Sequence, residues 1–176
     1  MRETMKRYVV SAIGILILSN VATAQTRELY NQYSNPEEYC LAQNIYFEAR
    51  SSNLADQAAV ADVVMNRVRD SRYPDTVCEV VKQGRQKPSW KDPSKMVMVR
   101  NQCQFSWYCD GKADIPKDTD AWLSAQQLAY FIILDNKYRG ITEGATHYHA
   151  TYVKPDWISD MQLIGRIGDH VYYRWE

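Results

Sequence analysis

A surplus of either charge is missing from this chain: 21 Lys and Arg stand against 21 Asp and Glu over 176 residues. Bulk electrostatics therefore gives it no hold on nucleic acid. It also has no Cys-x-x-Cys pair, which argues against a zinc ribbon or a dithiol redox motif. No His-Glu-x-x-His helix signature, Gly-x-Ser-x-Gly elbow or glycine-rich phosphate loop occurs, so three common catalytic frameworks lack their markers. Internal repeats and low-complexity segments are absent as well. What is present is ordinary for a globular protein: 45% hydrophobic and 24% charged residues, in a length that suits one domain with a respectable core.

The N-terminus reads as a separate device. Arg2, Lys6 and Arg7 precede the apolar run 8–18, and Ala22-Thr23-Ala24 follows as a small-residue cleavage site. The run is too short for a comfortable membrane span, and its three-part layout is that of a secretory signal. Cleavage after Ala24 is expected, with an uncleaved anchor as the alternative. Losing residues 1–24 removes three cations and one anion, which takes the net charge from 0 to −2. Export predicts oxidised cysteines. The four, Cys40, Cys78, Cys103 and Cys109, allow three pairings; a short Cys103–Cys109 clasp and a long-range Cys40–Cys78 staple are favoured. Each contributes about 2–4 kcal/mol if unstrained.

Residues 25–36 form a polar lead-in, and residues 37–176 read as the folded domain. Asn35-Pro36-Glu37-Glu38 starts a helix, with Asn as N-cap and proline at the first position. It ends around Glu48–Arg50. A second helix runs from Leu54 to about Val68, with small alanines for close packing and valines every fourth residue. Its Asn66 and Arg67 are placed to hold neighbouring loops. Asp75 or Thr76 caps a short helix through Val77, Val80 and Val81. Residues 84–118 read as irregular, because Gly84, Pro88, Pro93, Gly111 and Pro116 punctuate them. A third long helix spans Asp118 to Arg139, capped at Thr119 or Asp120 and striped by Trp122, Ala125, Leu128 and Ile132. The aromatic, alternating tail predicts short strands. The expected fold class is mainly α (α+β), with a small β element near the C-terminus.

Glu48 stands out because Leu41, Ile45, Glu48 and Ala49 share one helix face, so an acid points where apolar side chains point. Apolar surroundings disfavour a charged carboxylate and raise its pKa. The other reading is an ion pair with Arg50 or another cation that merely ends the helix; spacing leaves both open. Thirteen tyrosines and five tryptophans supply faces that stack on sugars and hydroxyls that bond them. Glu48 with Gln104, Ser106, Tyr148 and His147 is thus one candidate constellation, suited to protonating a glycosidic oxygen. A competing one is zinc on His147, His149 and His170, the only histidines. A His-x-His pair is a weak signal, however, and nothing nearby marks a base.

The runs Ala42-Gln-Asn-Ile-Tyr-Phe-Glu48-Ala-Arg50 and Gln57-Ala-Ala-Val-Ala-Asp-Val-Val-Met-Asn66-Arg67-Val68 resemble motifs of the SleB/CwlJ-type cell-wall hydrolases. So do Tyr73-Pro74 through Val81, Gln104-Phe105-Ser106, Gly144 through His149, Pro155-x-Trp157 and Ile167-Gly168-x-His170-x-Tyr172-Tyr173-Arg174. They occur in family order over residues 40–174. The resemblance implies a lysozyme-like helical catalytic domain acting on peptidoglycan glycan strands, between N-acetylmuramic acid and N-acetylglucosamine; it is expected to work as an exported monomer with no cofactor or metal. Glu48 would be the catalytic acid, with Gln104, Ser106, Tyr148 and His147 as substrate contacts and Asn66, Arg67 and His170 as supports. Two departures matter: the family's Glu-Ala-Arg-Gly-Glu becomes Glu48-Ala-Arg50-Ser51-Ser52, and the glycine before Gln57 is Asp56. Without that second glutamate, a lytic transglycosylase using one residue as acid and then base is favoured. A hydrolytic muramidase, a zinc-dependent wall peptidase and a non-catalytic wall-binding module are the alternatives.

Overall fold

The computed structural model describes residues 34–175, so the signal segment and residues 25–33 of the polar lead-in lie outside the described residues. Four α-helices are followed or interrupted by two small antiparallel sheets: α1 (Pro36–Ala49), α2 (Leu54–Arg69), α3 (Val77–Val81), β1 (Gly84–Pro88), β2 (Met96–Cys103), α4 (Thr119–Asp135), β3 (His147–Ala150), β4 (Gln162–Ile167) and β5 (His170–Arg174). The fold class is α+β with helices dominant, as the sequence led one to expect. No helix among the described residues is long and apolar enough to cross a membrane.

The helical core forms where α1 packs its apolar face on its neighbours. Leu41 and Ile45 meet Val64 of α2, Val80 and Val81 of α3, and Leu128, Ala129 and Ile132 of α4. Helix α2 also packs in the other direction, placing Ala59 and Val63 against Ala145, just before β3, and Tyr172 of β5. A helix apolar on two sides is one buried between layers, and its alanines allow both layers to approach. The Cys40–Cys78 disulfide joins α1 to α3, and Glu37 of α1 accepts the Val77 N–H at 2.6 Å. Cys103–Cys109 closes the short loop after β2. Both pairings are the favoured ones.

Polar groups of α2 hold the loop that leads into the sheet. The buried Asp62 carboxylate accepts the Gly140 N–H (3.0 Å), the Thr142 N–H (3.1 Å) and the Thr142 hydroxyl (2.6 Å). One turn on, Asn66 donates to Thr142 Oγ1 and the Ala145 carbonyl, and Arg67 Nε donates to the Thr146 carbonyl at 2.7 Å. Strand β5 is central in the order β3-β5-β4, with both neighbours antiparallel.

Three expectations need correction. The segment read as irregular contains the β1–β2 hairpin, with Gln86 opposite Met98 and Pro88 opposite Met96. Its strands face solvent, so no alternation of buried and exposed residues marks them, and Pro88 is tolerated at a strand end. Helix α4 stops at Asp135 instead of Arg139, because Asn136 takes the left-handed conformation (φ 51°) that ends a helix. Its N-cap is Asp118, whose side chain accepts the Ala121 N–H, and not Thr119 or Asp120.

Replacing Asp62 by alanine strands three donors, two of them on the buried Thr142. We expect a stability loss of about 3 kcal/mol, read as a lower urea midpoint with an unchanged slope. A loss below about 0.5 kcal/mol would show that the loop does not depend on this carboxylate.

Candidate active site

A cleft of about 460 Å³ opens between the C-terminal end of α1, the Gln104–Trp107 segment and β3. Glu48 lies in it, and so do Gln104, Ser106, Tyr148 and His147. The structure thus brings together all five residues singled out as catalytic or substrate-binding from the sequence. Glu48 is the sole carboxylate among the described residues that line it.

The helix end explains how Glu48 is presented. Ala49, its neighbour, is buried, whereas Arg50 is exposed and lies 5.1 Å over the Tyr46 ring. The ion pair considered for the helix end does not form with Arg50. Glu48 instead accepts a hydrogen bond on Oε2 from the Tyr148 hydroxyl at 3.0 Å. Burial raises the Glu48 pKa above its ordinary 4.5, against the opposing effects of the Tyr148 bond and the nearby His170 and Arg67. Burial, followed by the adjacent Glu48, pushes the Tyr148 hydroxyl well above its ordinary 10, so Tyr148 keeps its proton and remains a donor.

Arg67, read from the sequence as a support, also lines the cleft. Its guanidinium sits 5.3 Å from the Tyr73 ring and 5.4 Å from the Phe105 ring, and Nη1 is buried without a partner. His147 is neutral at physiological pH: burial, then Arg67 and Arg72, lower its pKa to about 4. Phe47 stacks on Trp107 at 4.8 Å to form one wall, and the Trp107 indole N–H donates to Asn44 Oδ1 at 3.2 Å. Tyr152 at the rim is 90% exposed. Trp157 carried only the Pro155-x-Trp157 motif match; it sits 5.5 Å from His147 and 5.8 Å from His149.

The sheet register undoes the zinc constellation. His147 stands opposite Tyr173 and His149 opposite Val171, whereas His170 stands opposite Ala150. Directly paired residues share a face and the faces alternate, so His170 projects on the opposite side of the sheet from His147 and His149. His149 is occupied by the Ala150 carbonyl and the Tyr173 hydroxyl. Among the described residues no three His, Cys, Asp or Glu side chains come together in a way that would hold a metal ion.

His170 is committed elsewhere. Its Nδ1 lies 2.9 Å from Asp56 Oδ1, and Asp56, fully buried, also accepts from the Tyr172 hydroxyl (2.9 Å) and the Asp169 N–H (3.0 Å). Burial alone would raise the Asp56 pKa; the bonds from His170 and Asp169 outweigh it and the net shift is downward from 3.8. Gly168 makes this approach possible. It has φ +57°, and a Cβ there would lie 2.6 Å from the Asp56 Cβ. The His170 ring meets Tyr148 edge to face at 5.0 Å, so Asp56 supports, at one remove, the tyrosine that bonds Glu48. Position 56, noticed in the sequence only as a departure, is a structural centre. Ser52 of the other departure donates to Asp169 at 3.3 Å.

The family model described as cell wall hydrolase matches residues 51–173, a span that begins just after Glu48. The catalytic domain of the germination-specific lytic transglycosylase SleB from Bacillus anthracis is similar at 25% identity and TM-score 0.57, covering 82% of this chain and 99% of that one. The catalytic domain of the Bacillus cereus SleB protein shares the fold at 23% identity and TM-score 0.55, covering 83% and 95%. No curated protein matches at a comparable level of significance.

Two stability effects of opposite sign follow. A carboxyl with a raised folded pKa binds its proton more tightly when folded, so it destabilises the fold as pH climbs above 4.5. Glu48→Gln should therefore be more stable than the parent at pH 7, with the gap closing below pH 4.5. Asp56 has a depressed folded pKa, so its contribution is full above 3.8 and is lost as pH falls through the lower folded value. Asp56→Asn should be less stable at pH 7, with the deficit shrinking in acid. Thermal melts of both variants across pH 3–7 read these trends; parallel curves would contradict them.

Proposed function

The chain belongs to the cell wall hydrolase family, of the SleB/CwlJ type, and from that premise we propose that it is a lytic transglycosylase whose single catalytic group is Glu48. Membership makes it a peptidoglycan-cleaving enzyme that acts outside the cytoplasm. The finer reading is that it cuts glycan strands between N-acetylmuramic acid and N-acetylglucosamine. The N-terminal segment would export it, and it would work as a monomer. The observation that carries the reading is the lone carboxyl in the cleft, partly desolvated and held by Tyr148.

The chemistry runs in two proton transfers. Protonated Glu48 gives its proton to the glycosidic oxygen as the bond from that oxygen to C1 breaks, and positive charge develops at C1. The sugar's own C6 hydroxyl then attacks C1 while Glu48, now a carboxylate, takes the hydroxyl proton. The product is a 1,6-anhydro end, and Glu48 is returned to its starting state. No second carboxylate is required, which matches a cleft lined by one. The Tyr148 bond to Oε2 leaves Oε1 to carry the transferred proton. It also limits how far burial raises the pKa, so the group can act as acid and base in turn. Gln104 and Ser106 are placed to orient sugar hydroxyls, and neutral His147 adds a face and a polar edge without repelling the charge at C1.

Glu48→Gln should lose at least about 10²-fold in rate on purified peptidoglycan, the lower end of what positioned proton transfer supplies. Mass analysis of parent fragments should show anhydro ends. Reducing ends alone would replace transglycosylation with hydrolysis, and full activity in the variant would remove Glu48 from the chemistry. The enzyme needs Glu48 protonated, so kcat/KM should fall along an alkaline limb set above pH 4.5. Tyr148→Phe deletes a bond that lowers that pKa, so its limb should move to higher pH even as the maximum rate drops. A limb that stays in place would deny Tyr148 this role.

A further inference from the structure

A second cavity of about 520 Å³ adjoins the catalytic cleft and shares two of its residues, Phe47 and Trp107. The ring stack of those two residues is the partition between the cavities. On the far side, Tyr46 and Arg50 of α1 face the 110–117 loop, which contributes Asp114, Ile115 and Lys117. Consecutive residues of one helix end thus serve the two spaces, since Phe47 and Glu48 line the first while Tyr46, Phe47 and Arg50 line the second.

This loop is held in place. The Tyr46 hydroxyl accepts the N–H groups of Lys117 and Asp118, both at 3.0 Å. Gln43 donates to the Asp114 carbonyl at 3.2 Å, and Arg100 donates to the Asp110 carbonyl at 3.0 Å. Trp107 is fixed by its bond to the buried Asn44. The lining combines aromatic faces and Ile115, which is 65% exposed, with three cations, Arg50, Lys112 and Lys117, and two carboxylates, Asp110 and Asp114; Arg50 and Lys117 form no ion pair among the described residues and outnumber the one remaining carboxylate, Asp114. Lys112, by contrast, is already paired with Asp110 at 3.3 Å. An apolar floor beside two available cations suits a ligand with a sugar face and a carboxylate, and the volume lies in the usual range for ligand pockets, roughly 300–1,000 Å³.

We propose that this second cavity binds a further muramic-acid-containing unit of the same glycan strand, so that the strand crosses the Phe47–Trp107 stack on its way past Glu48. The inference rests on the reading of Glu48 as the strand-cleaving acid. It makes Arg50 and Lys117 determinants of strand length and substitution, with no part in the proton transfers. The carboxylate could be the lactyl acid of a peptide-free strand or an acid of the attached peptide.

The test uses Glu48→Gln protein and purified glycan oligomers, with binding followed by tryptophan fluorescence. Ala113, which also lines the cavity, is changed to tryptophan to fill it, and Arg50→Ala/Lys117→Ala removes the charges. Thermal melts confirm that each variant folds. Longer oligomers should bind at least about tenfold more tightly than the disaccharide. Both variants should lose that gain while keeping the disaccharide affinity. Peptide-free and peptide-bearing oligomers form separate arms, and the arm in which the double variant loses more identifies the carboxylate. A length gain that survives filling of the cavity overturns the proposal, as does no length gain or no binding at all. With Glu48 intact, fragments released with unaltered length dependence would sink this proposal alone. Absence of fragments from every substrate would sink the functional reading beneath it.

Discussion

The hydrogen bond from Tyr148 to Glu48 joins two halves of the molecule, and the cleft exists because they are held in register. Glu48 belongs to the helical core; Tyr148 belongs to a three-stranded sheet assembled from the end of the chain. Helix α2 is the shared wall. Its apolar residues pack both ways, and its polar residues, Asp56, Asp62, Asn66 and Arg67, bond the loop and strands that carry Tyr148. Two of those groups are buried carboxylates, each satisfied by three donors. Buried polar groups are costly when unpaired and specific when paired, so this row sets where the sheet can sit.

That arrangement accounts for the electrostatics of the cleft. Burial raises the Glu48 pKa above its ordinary value, and Tyr148, His170 and Arg67 oppose the shift. A group that must donate a proton and then accept one works best between the two extremes. Asp56 is driven the opposite way by its donors. Two carboxyls of one protein are thus separated in pKa by their surroundings, and only the one in the cleft remains able to exchange protons with a substrate.

Much of this was legible in the sequence where periodicity governs. The valine rows of α2 and the shared face of Leu41, Ile45, Glu48 and Ala49 led to helices that the structure contains. The aromatic alternation of the tail led to strands. The hairpin escaped because its two strands bury neither face, so no pattern of solvent and core is written into them. Helix α4 ends four residues short of Arg139 because Asn136 takes the left-handed position first. The zinc reading failed on register: residues 147, 149 and 170 are chemically alike, and only strand pairing reveals that one of them faces the other way. Asp56 carried no local signal, because its partners lie more than a hundred residues away.

The central claim is that the fold keeps Glu48 protonated more readily than a solvated glutamate. Carboxyl-carbon NMR of selectively labelled protein, titrated from pH 3 to 8 with Glu48→Gln used to assign the signal, measures this without reference to activity. A Glu48 midpoint above 4.5, rising further in Tyr148→Phe, is the expected result. A midpoint at or below 4.5, unchanged by that substitution, would contradict it.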